Sequence, residues 1–227
     1  MHMKIACVIP AWNEAPAFDK SHLPGVVEAL TSCIDLIIIV DDGSTDETYE
    51  TALRLSADVL RHPVNRGQGA ALATGTEYAL EQGAEIIIHF DADGQFRVQD
   101  IERVIKPLRE KQADMVFGSR FLDDTTTMPK FKRTVIMPLA RFVNKIFFGI
   151  TLTDPQSGFR AFNRLAAEMV KWKQDQMGHC SEILIEAHRH PLRIQEVPIT
   201  VVYHHFGQRL SGGFKIIRDF ILAKLNS

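Results

Sequence analysis

Apolar and polar positions follow two alternating patterns along the first 120 residues. Short runs rich in isoleucine and valine, without polar alternation, occur at residues 4–10, 36–40, 59–61, 85–90 and 115–117. Such runs are typical of strands that are buried on both faces of a parallel sheet. Stretches with helical spacing lie between them, for example at 67–82 and 98–111. The alternation predicts an α/β fold: a mostly parallel sheet with helices on both faces.

The pattern changes after residue 120. Segment 131–150 is amphipathic, and further elements are predicted as helices near 163–173 and 181–189, a strand over 193–203 and a basic amphipathic helix over 213–225. No internal repeat or flexible linker divides the chain, and its 227 residues suit one domain. We therefore expect residues 1–227 to form a single domain.

Composition and charge exclude several classes of protein. With 45% hydrophobic and 24% charged residues, the chain is expected to fold rather than to be disordered. A net charge of −2 offers no general attraction for nucleic acid, so no nucleic-acid partner is expected. No apolar stretch reaches the roughly 20 residues of a membrane-spanning helix, so any membrane contact would be peripheral.

The cysteines and histidines do not form recognisable metal or disulfide patterns. Cys7, Cys33 and Cys180 include no CxxC pair, and the first two lie in or near apolar segments, which predicts buried thiols. This usage indicates a reducing, cytoplasmic setting. The nine histidines show no zinc-site spacing and are expected mostly at the surface.

The strongest chemical signal is the sequence DADGQ at residues 91–95, directly after a predicted buried strand. Ligands of open parallel sheets bind beyond the carboxyl ends of the strands. Asp91 and Asp93 can face one hard cation, with the Gln95 side-chain oxygen as a third ligand. This predicts a Mg²⁺ or Mn²⁺ site that neutralises a departing diphosphate. The alternative is a plain Asp-Gly turn.

Two more strands end in polar loops, with the sequences IPAWNE at 9–14 and VDDGSTD at 40–46. Carboxylates in the second loop could accept hydrogen bonds from a base or a ribose. Ser44 and Glu47 also have the spacing of a capping box, which predicts a helix that begins at this serine. Three polar loops at one edge of the sheet predict a crevice of nucleotide size.

Candidate phosphate contacts are weaker signals. The sequence NRGQGA at 65–70 lacks the features of a P-loop or a Rossmann fingerprint, so we interpret it mainly as a tight helix start that can line the crevice through Asn65 and Gly67. Arg120 ends a predicted strand and could bind a phosphate or form a surface salt bridge. Arg160 and Arg209 lie in predicted turns.

These motifs, together with SGFR at 157–160, stand in the order found in glycosyltransferase family 2. The DADGQ and SGFR motifs and a later Arg-x-x-Gly-Gly-like turn resemble the polyprenyl-phosphate sugar transferases, the branch of dolichyl-phosphate mannose synthase. The resemblance covers about residues 4–216. It implies a GT-A fold and inverting transfer of a sugar from a UDP- or GDP-sugar to a dolichyl or undecaprenyl phosphate.

The resemblance also implies roles for individual residues. The nucleoside and diphosphate of the donor would contact Pro10, Ala11, Asn13, Glu14, Val40, Asp42, Asp91, Ala92, Asp93 and Lys215. The metal would be held by Asp91, Asp93 and Gln95. Catalytic contributions would come from Asp93, Arg120, Arg209 and Glu182, with the two arginines and Lys215 meeting donor or acceptor phosphates.

The nature of the acceptor decides whether a general base is needed. A lipid phosphate is already ionised, whereas a saccharide hydroxyl must lose a proton. Glu182 lies near the position where hydroxyl-acceptor relatives carry an acid, but it lacks their Glu-Asp pair. The phosphate acceptor is therefore favoured. Transfer to a saccharide hydroxyl in polysaccharide synthesis and a non-catalytic sugar-nucleotide-binding protein are the alternatives.

The two amphipathic segments leave the membrane question open. Segments 131–150 and 213–225 can lie in the interface of the cytoplasmic membrane face or pack on the sheet. A homodimer and a membrane-protein partner are both compatible with the sequence.

Overall fold

A computed structural model describes residues 2–14, 23–122, 152–176 and 178–202. The strands are β1 Ile5–Ala11, β2 Leu36–Asp41, β3 Asp58–Arg61, β4 Ile86–His89, β5 Met115–Ser119, β6 Arg160–Asn163 and β7 Ile194–Pro198. The helices are α1 Leu23–Leu30, α2 Thr48–Ala52, α3 Gln68–Glu81, α4 Ile101–Arg109, α5 Arg164–Met169 and α6 His179–Arg189. A short 3-10 turn, Val98–Asp100, leads into α4.

Within the described residues, the strands form one seven-stranded sheet in the order β3-β2-β1-β4-β6-β5-β7. All neighbouring strands are parallel except β6, which is antiparallel to both β4 and β5. The mostly parallel sheet is thereby confirmed. Since the other six strands point the same way, their carboxyl ends lie at one edge, together with the beginning of β6.

Helices cover both faces of the sheet, as the apolar runs predicted. Every residue of β1 is buried, and its side chains alternate between two hydrophobic clusters. Ile5, Cys7 and Ile9 pack in the cluster that includes residues of α1 and α4. Ala6 and Val8 pack in the cluster that includes residues of α3, α5 and α6. Continuous burial of alternate side chains on opposite faces explains why these strands lack polar alternation.

Helix α3 packs closely on the sheet at Gly75, which has no side chain. A Cβ atom at Gly75 would overlap Val8 Cγ1 and lie 3.1 Å from Val40 Cγ2. The helix therefore packs directly over β1 and β2. Its amino-terminal end reaches the edge where the strands end.

Two local expectations were wrong, and a third, that the histidines lie mostly at the surface, holds for half of the described ones. Helix α2 begins at Thr48 and not near Ser44, because the Ser44 hydroxyl accepts a hydrogen bond from the Asn13 amide instead. Cys33 is exposed, since it lies in the turn after α1. Of the six described histidines, three are buried, and they are His62, His89 and His179.

Several predicted features lie outside the described residues. These are the amphipathic segments 131–150 and 213–225, together with Arg209 and Lys215. In the ranges that are described, no helix combines the length and the apolar character needed to cross a membrane.

Candidate active site

The loops after β1 and β2 are joined by reciprocal hydrogen bonds at the carboxyl edge of the sheet. The Asn13 amide donates to the Ser44 hydroxyl at 3.0 Å, and the Thr45 amide donates to Asn13 Oδ1 at 2.9 Å. Asn13 has a φ of 55°, in the left-handed region that asparagine tolerates better than most residues. The loops after β1 and β2 therefore form one connected surface at this edge of the sheet.

Asp91 of the DADGQ turn is positioned by two residues from other elements. Gln68, the first residue of α3, donates its side-chain amide to Asp91 Oδ1 at 2.9 Å. On the other side, a Cβ atom at Gly158 would lie 2.8 Å from Asp91 Oδ2. The glycine of the SGFR motif therefore leaves room for this carboxylate.

The carboxylates around the turn carry unfavourable negative charge. Burial, with the charge of Asp93 as the second cause, raises the pKa of Asp91 to about 7. Burial also raises the pKa of Glu14, and the charges of Asp93 and Asp46 add to this effect. Crowded carboxylates of this kind favour a bound cation, which would replace the proton on Asp91.

The turn itself is held by backbone contacts. The Gln95 amide donates to Asp93 Oδ1 at 3.0 Å, and the Gln95 carbonyl accepts from the Val202 amide at 2.9 Å. Phe96 forms a β-bridge with Val201. The segment after β7 therefore holds the end of the turn, at Gln95 and Phe96.

The donor set around the turn fits a hard divalent cation. In the described part of the chain, no group of three or more His, Cys, Asp or Glu side chains could hold a metal by itself. As ligands, Asp91, Asp93 and the Gln95 side-chain oxygen would leave coordination positions of the cation unfilled. Mg²⁺ and Mn²⁺ characteristically complete such sets with water and substrate phosphates.

The four apolar residues among the predicted donor contacts have buried side chains, and Asp42 is buried as well. Pro10 and Ala11 end β1, Val40 lies in β2 and packs toward α3, and Ala92 is 2% exposed. A ligand at the sheet edge would therefore meet these residues through their backbone atoms. Trp12, which was not among the predicted contacts, is 52% exposed beside them. A large aromatic residue in a strand-end loop is the sequence feature that would have indicated Trp12 as a further candidate contact.

The NRGQGA segment is a helix start, as predicted, and not an open phosphate cradle. Helix α3 begins at Gln68, after Gly67 with a φ of 113°. The amides of Gly69 and Ala70 both donate to the Asp175 carbonyl, at 2.8 and 3.3 Å. The protein's own backbone thus occupies the donors that a cradle would present to phosphate.

Glu182 holds the segment that packs on this helix start. Its Oε2 accepts from the backbone amides of Lys173 and Gln174, at 2.8 and 2.7 Å. The same segment reaches α3 through Trp172, whose indole N–H donates to the Gly69 carbonyl at 2.9 Å. These contacts give the glutamate a structural role.

Arg120 follows β5 and therefore lies at the same edge as the carboxylate turn. It makes a bidentate contact with Asp154, with Nε–Oδ2 and Nη2–Oδ1 distances of 2.6 and 2.8 Å. The side chain of Asp154 is fully buried, so this is not the surface salt bridge that the sequence left open. The contact fixes a guanidinium at the edge, where 24% of its side chain is exposed.

Arg160 was predicted to lie in a turn, but it begins β6 and is fully buried. Its Nη2 donates to Cys180 Sγ at 3.2 Å, and His179 Nε2 lies 3.4 Å from the same sulfur. Burial alone would raise the pKa of Cys180, but Arg160 and His179 outweigh it and lower this pKa to about 6. Nothing in the spacing of these residues indicated the cluster, because its members are brought together by the β6–α6 packing.

Comparison with known proteins identifies the class to which this fold and site belong. A solved structure of glucosyl-3-phosphoglycerate synthase from Mycobacterium tuberculosis, in complex with Mn²⁺, UDP and phosphoglyceric acid, superimposes with a TM-score of 0.74 at 20% identity. The match covers 99% of this chain and 78% of that chain. The sheet and its helices thus have the GT-A fold of glycosyltransferases.

The family follows from the sequence match. Residues 6–170 match the profile of glycosyl transferase family 2, so the chain belongs to this family and is a glycosyltransferase. It is 34% identical to the UDP-N-acetylglucosamine–dolichyl-phosphate N-acetylglucosaminyltransferase of Methanococcus voltae, over 97% of this chain and 96% of that protein. It is 28% identical to the polyprenol monophosphomannose synthase of Mycolicibacterium smegmatis, over 90% of this chain and 80% of that protein.

Proposed function

We propose that the protein catalyses inverting, metal-dependent transfer of a sugar from a UDP- or GDP-sugar to a polyprenyl phosphate. The observation that carries the proposal is the Asp91–Asp93 turn at the carboxyl edge of a GT-A sheet. Both named relatives described above transfer sugars to polyprenyl phosphates. Similarity along nearly the whole chain supports the same class of acceptor here.

On the donor side, Asp91, Asp93 and Gln95 would hold Mg²⁺ or Mn²⁺. The metal would supply charge neutralisation as the nucleoside diphosphate departs. The joined loops after β1 and β2, with Asn13, Glu14 and the backbone around Val40, would border the nucleoside. Arg120 would face a phosphate from the same edge, held in place by its contact with Asp154.

On the acceptor side, the described residues favour a phosphate over a hydroxyl. A phosphate is already a nucleophile at neutral pH, so the protein must only align it with the anomeric carbon. A hydroxyl would require a general base. Glu182, the candidate for that base, is engaged by two backbone amides. Arg209 and Lys215 remain proposed phosphate contacts.

A lipid acceptor also implies where the protein works. We propose peripheral contact with the cytoplasmic face of a membrane, through the amphipathic segments 131–150 and 213–225. A fluorescence binding assay with anionic and neutral vesicles tests this separately from catalysis.

The decisive experiment incubates the purified protein with Mg²⁺ or Mn²⁺, a panel of UDP- and GDP-sugars, and undecaprenyl or dolichyl phosphate. A lipid-linked sugar is expected with at least one donor, and Asp93→Asn should reduce its formation at least a hundredfold, as for loss of a key charge-stabilising group. Asp58→Asn is the matched control, since Asp58 is an exposed carboxylate at the start of the edge strand β3, where it accepts a hydrogen bond from Tyr78. Absence of lipid-linked product with every donor would refute the proposal.

Two further measurements separate the alternatives. Transfer to a saccharide hydroxyl requires that Glu182→Gln abolish turnover while donor binding survives, whereas our proposal expects turnover to persist. Thermal stabilisation by UDP or GDP, with and without Mn²⁺, identifies the donor base. Binding without any turnover would instead indicate a non-catalytic protein.

A further inference from the structure

Asp42, which follows β2 directly, is bound by the protein on both carboxylate oxygens. Its Oδ1 accepts from the Arg66 amide at 3.0 Å, and its Oδ2 accepts from the Gly67 amide at 2.6 Å. Its side chain is almost completely buried, with 2% of the residue exposed. A buried carboxylate needs such donors, and here they come from the loop that leads into α3.

His62 is the third partner of this carboxylate. It follows β3 directly and is 6% exposed. Its Nδ1 lies 2.7 Å from Asp42 Oδ1, and its Nε2 lies 3.0 Å from the Thr74 hydroxyl on α3. Because a carboxylate only accepts, Nδ1 carries the proton in this contact. Both ring nitrogens are therefore partnered, which fixes the orientation of the imidazole.

The contacts continue from Asp42 toward the carboxylate turn. Gly67, whose amide is bound to Asp42, immediately precedes Gln68. The side-chain amide of Gln68 in turn donates to Asp91 Oδ1 at 2.9 Å. Gly67 has a φ of 113°, so the direction in which the chain enters α3 depends on how this residue is held.

We propose that His62 is a positioning residue for binding of the nucleotide sugar and its metal. This inference rests on the proposed function. The imidazole contacts Thr74 on α3 and donates to Asp42, which fixes the Asp42 carboxylate. Asp42 in turn accepts hydrogen bonds from the backbone amides of Arg66 and Gly67. That backbone places Gln68, and hence Asp91, at the edge of the sheet. His62 itself touches neither metal nor substrate.

Loss of His62 removes one of the three donors that hold Asp42. The carboxylate would then turn toward water or repack, and the two backbone amides would lose their fixed acceptor. For His62→Ala we expect the dissociation constants of Mn²⁺ and of the nucleotide sugar to rise about tenfold or more, the size of effect that loss of a buried charged hydrogen bond produces. For His62→Asn we expect less than about a threefold change, because its amide N–H can still reach Asp42.

The experiment measures Mn²⁺ and nucleotide-sugar affinity, kcat and KM, and thermal unfolding without ligand, for wild type and variants. His188→Ala is the matched control, since His188 is exposed on α6. If His62→Ala is poorly folded, Thr74→Val serves instead, because it removes only the Nε2 partner and keeps the volume. An increase in both dissociation constants that His62→Asn restores supports the proposal.

Two outcomes would overturn it. Wild-type affinities in a destabilised His62→Ala or Thr74→Val protein would show that His62 serves only stability, with the proposed function intact. Failure of the wild-type protein to bind any nucleotide sugar would overturn the proposed function, and this inference with it.

Discussion

Acidification should weaken metal binding at the Asp91–Asp93 turn, because a cation must displace a proton from Asp91. Burial, followed by the charge of Asp93, raises the pKa of Asp91 from 3.8 to about 7. Below this pKa the carboxyl holds its proton, and above it the carboxylate is available to the metal. The affinity should therefore rise with pH and reach a plateau above pH 7.

The size of the effect follows from competition with one proton. The apparent dissociation constant should increase about tenfold for each pH unit below the pKa, which gives a roughly tenfold weaker site at pH 6 than at pH 8. An aspartate with an ordinary pKa of about 3.9 would give the same affinity at both pH values. The raised pKa of Asp91 therefore predicts a pH dependence of metal affinity that a solvated aspartate would not show.

Titration calorimetry with Mn²⁺ between pH 5.5 and 8 measures this dependence. A nucleotide sugar is the proper co-ligand, since its diphosphate, unlike that of a free nucleotide, has no group that titrates in this range. Asp91→Asn should bind more weakly and lose the pH dependence, while Asp58→Asn should retain both affinity and dependence. Equal wild-type affinities at pH 6 and pH 8 would refute the reasoning. So would a pH dependence of the affinity that persists in the Asp91→Asn variant.

Three other predictions concern the scaffold and the thiol of Cys180. Gly69→Ala should lower the free energy of unfolding by more than about 2 kcal/mol in urea melts, because its Cβ would overlap a backbone carbonyl, whereas Gly83→Ala meets no neighbour and should cost only about 1 kcal/mol for its positive φ. Hydrogen bonds from the Arg193 side chain lower the pKa of Asp114 to about 2. Asp114→Asn should therefore cost about 1 kcal/mol at neutral pH, and the difference from wild type should fade as pH drops from 4 to 2. Absorbance at 240 nm should reveal a thiolate that titrates near pH 6 and is absent from Cys180→Ser.

The sequence alone determined the parts of this protein that depend on local patterns. Uninterrupted apolar runs predicted strands that are buried on both faces, and β1 and β4 are such strands. The turn chemistry of residues 91–95 and the glycines near α3 predicted where the chain would leave a strand or enter a helix. These features follow from side-chain periodicity and backbone preference, which neighbouring residues set among themselves.

Only the tertiary structure decided which polar groups face the site and which support it. Ser44 had the sequence of a helix cap, but its hydroxyl bonds to Asn13, 31 residues earlier. Arg160 belonged to a turn-like motif, yet it is a buried cation that contacts Cys180. Glu182 was a candidate base, and two distant backbone amides bind one oxygen of its carboxylate. The partner of a hydrogen-bonding group, and its burial, depend on segments that meet only after folding, so spacing along the chain does not reveal them.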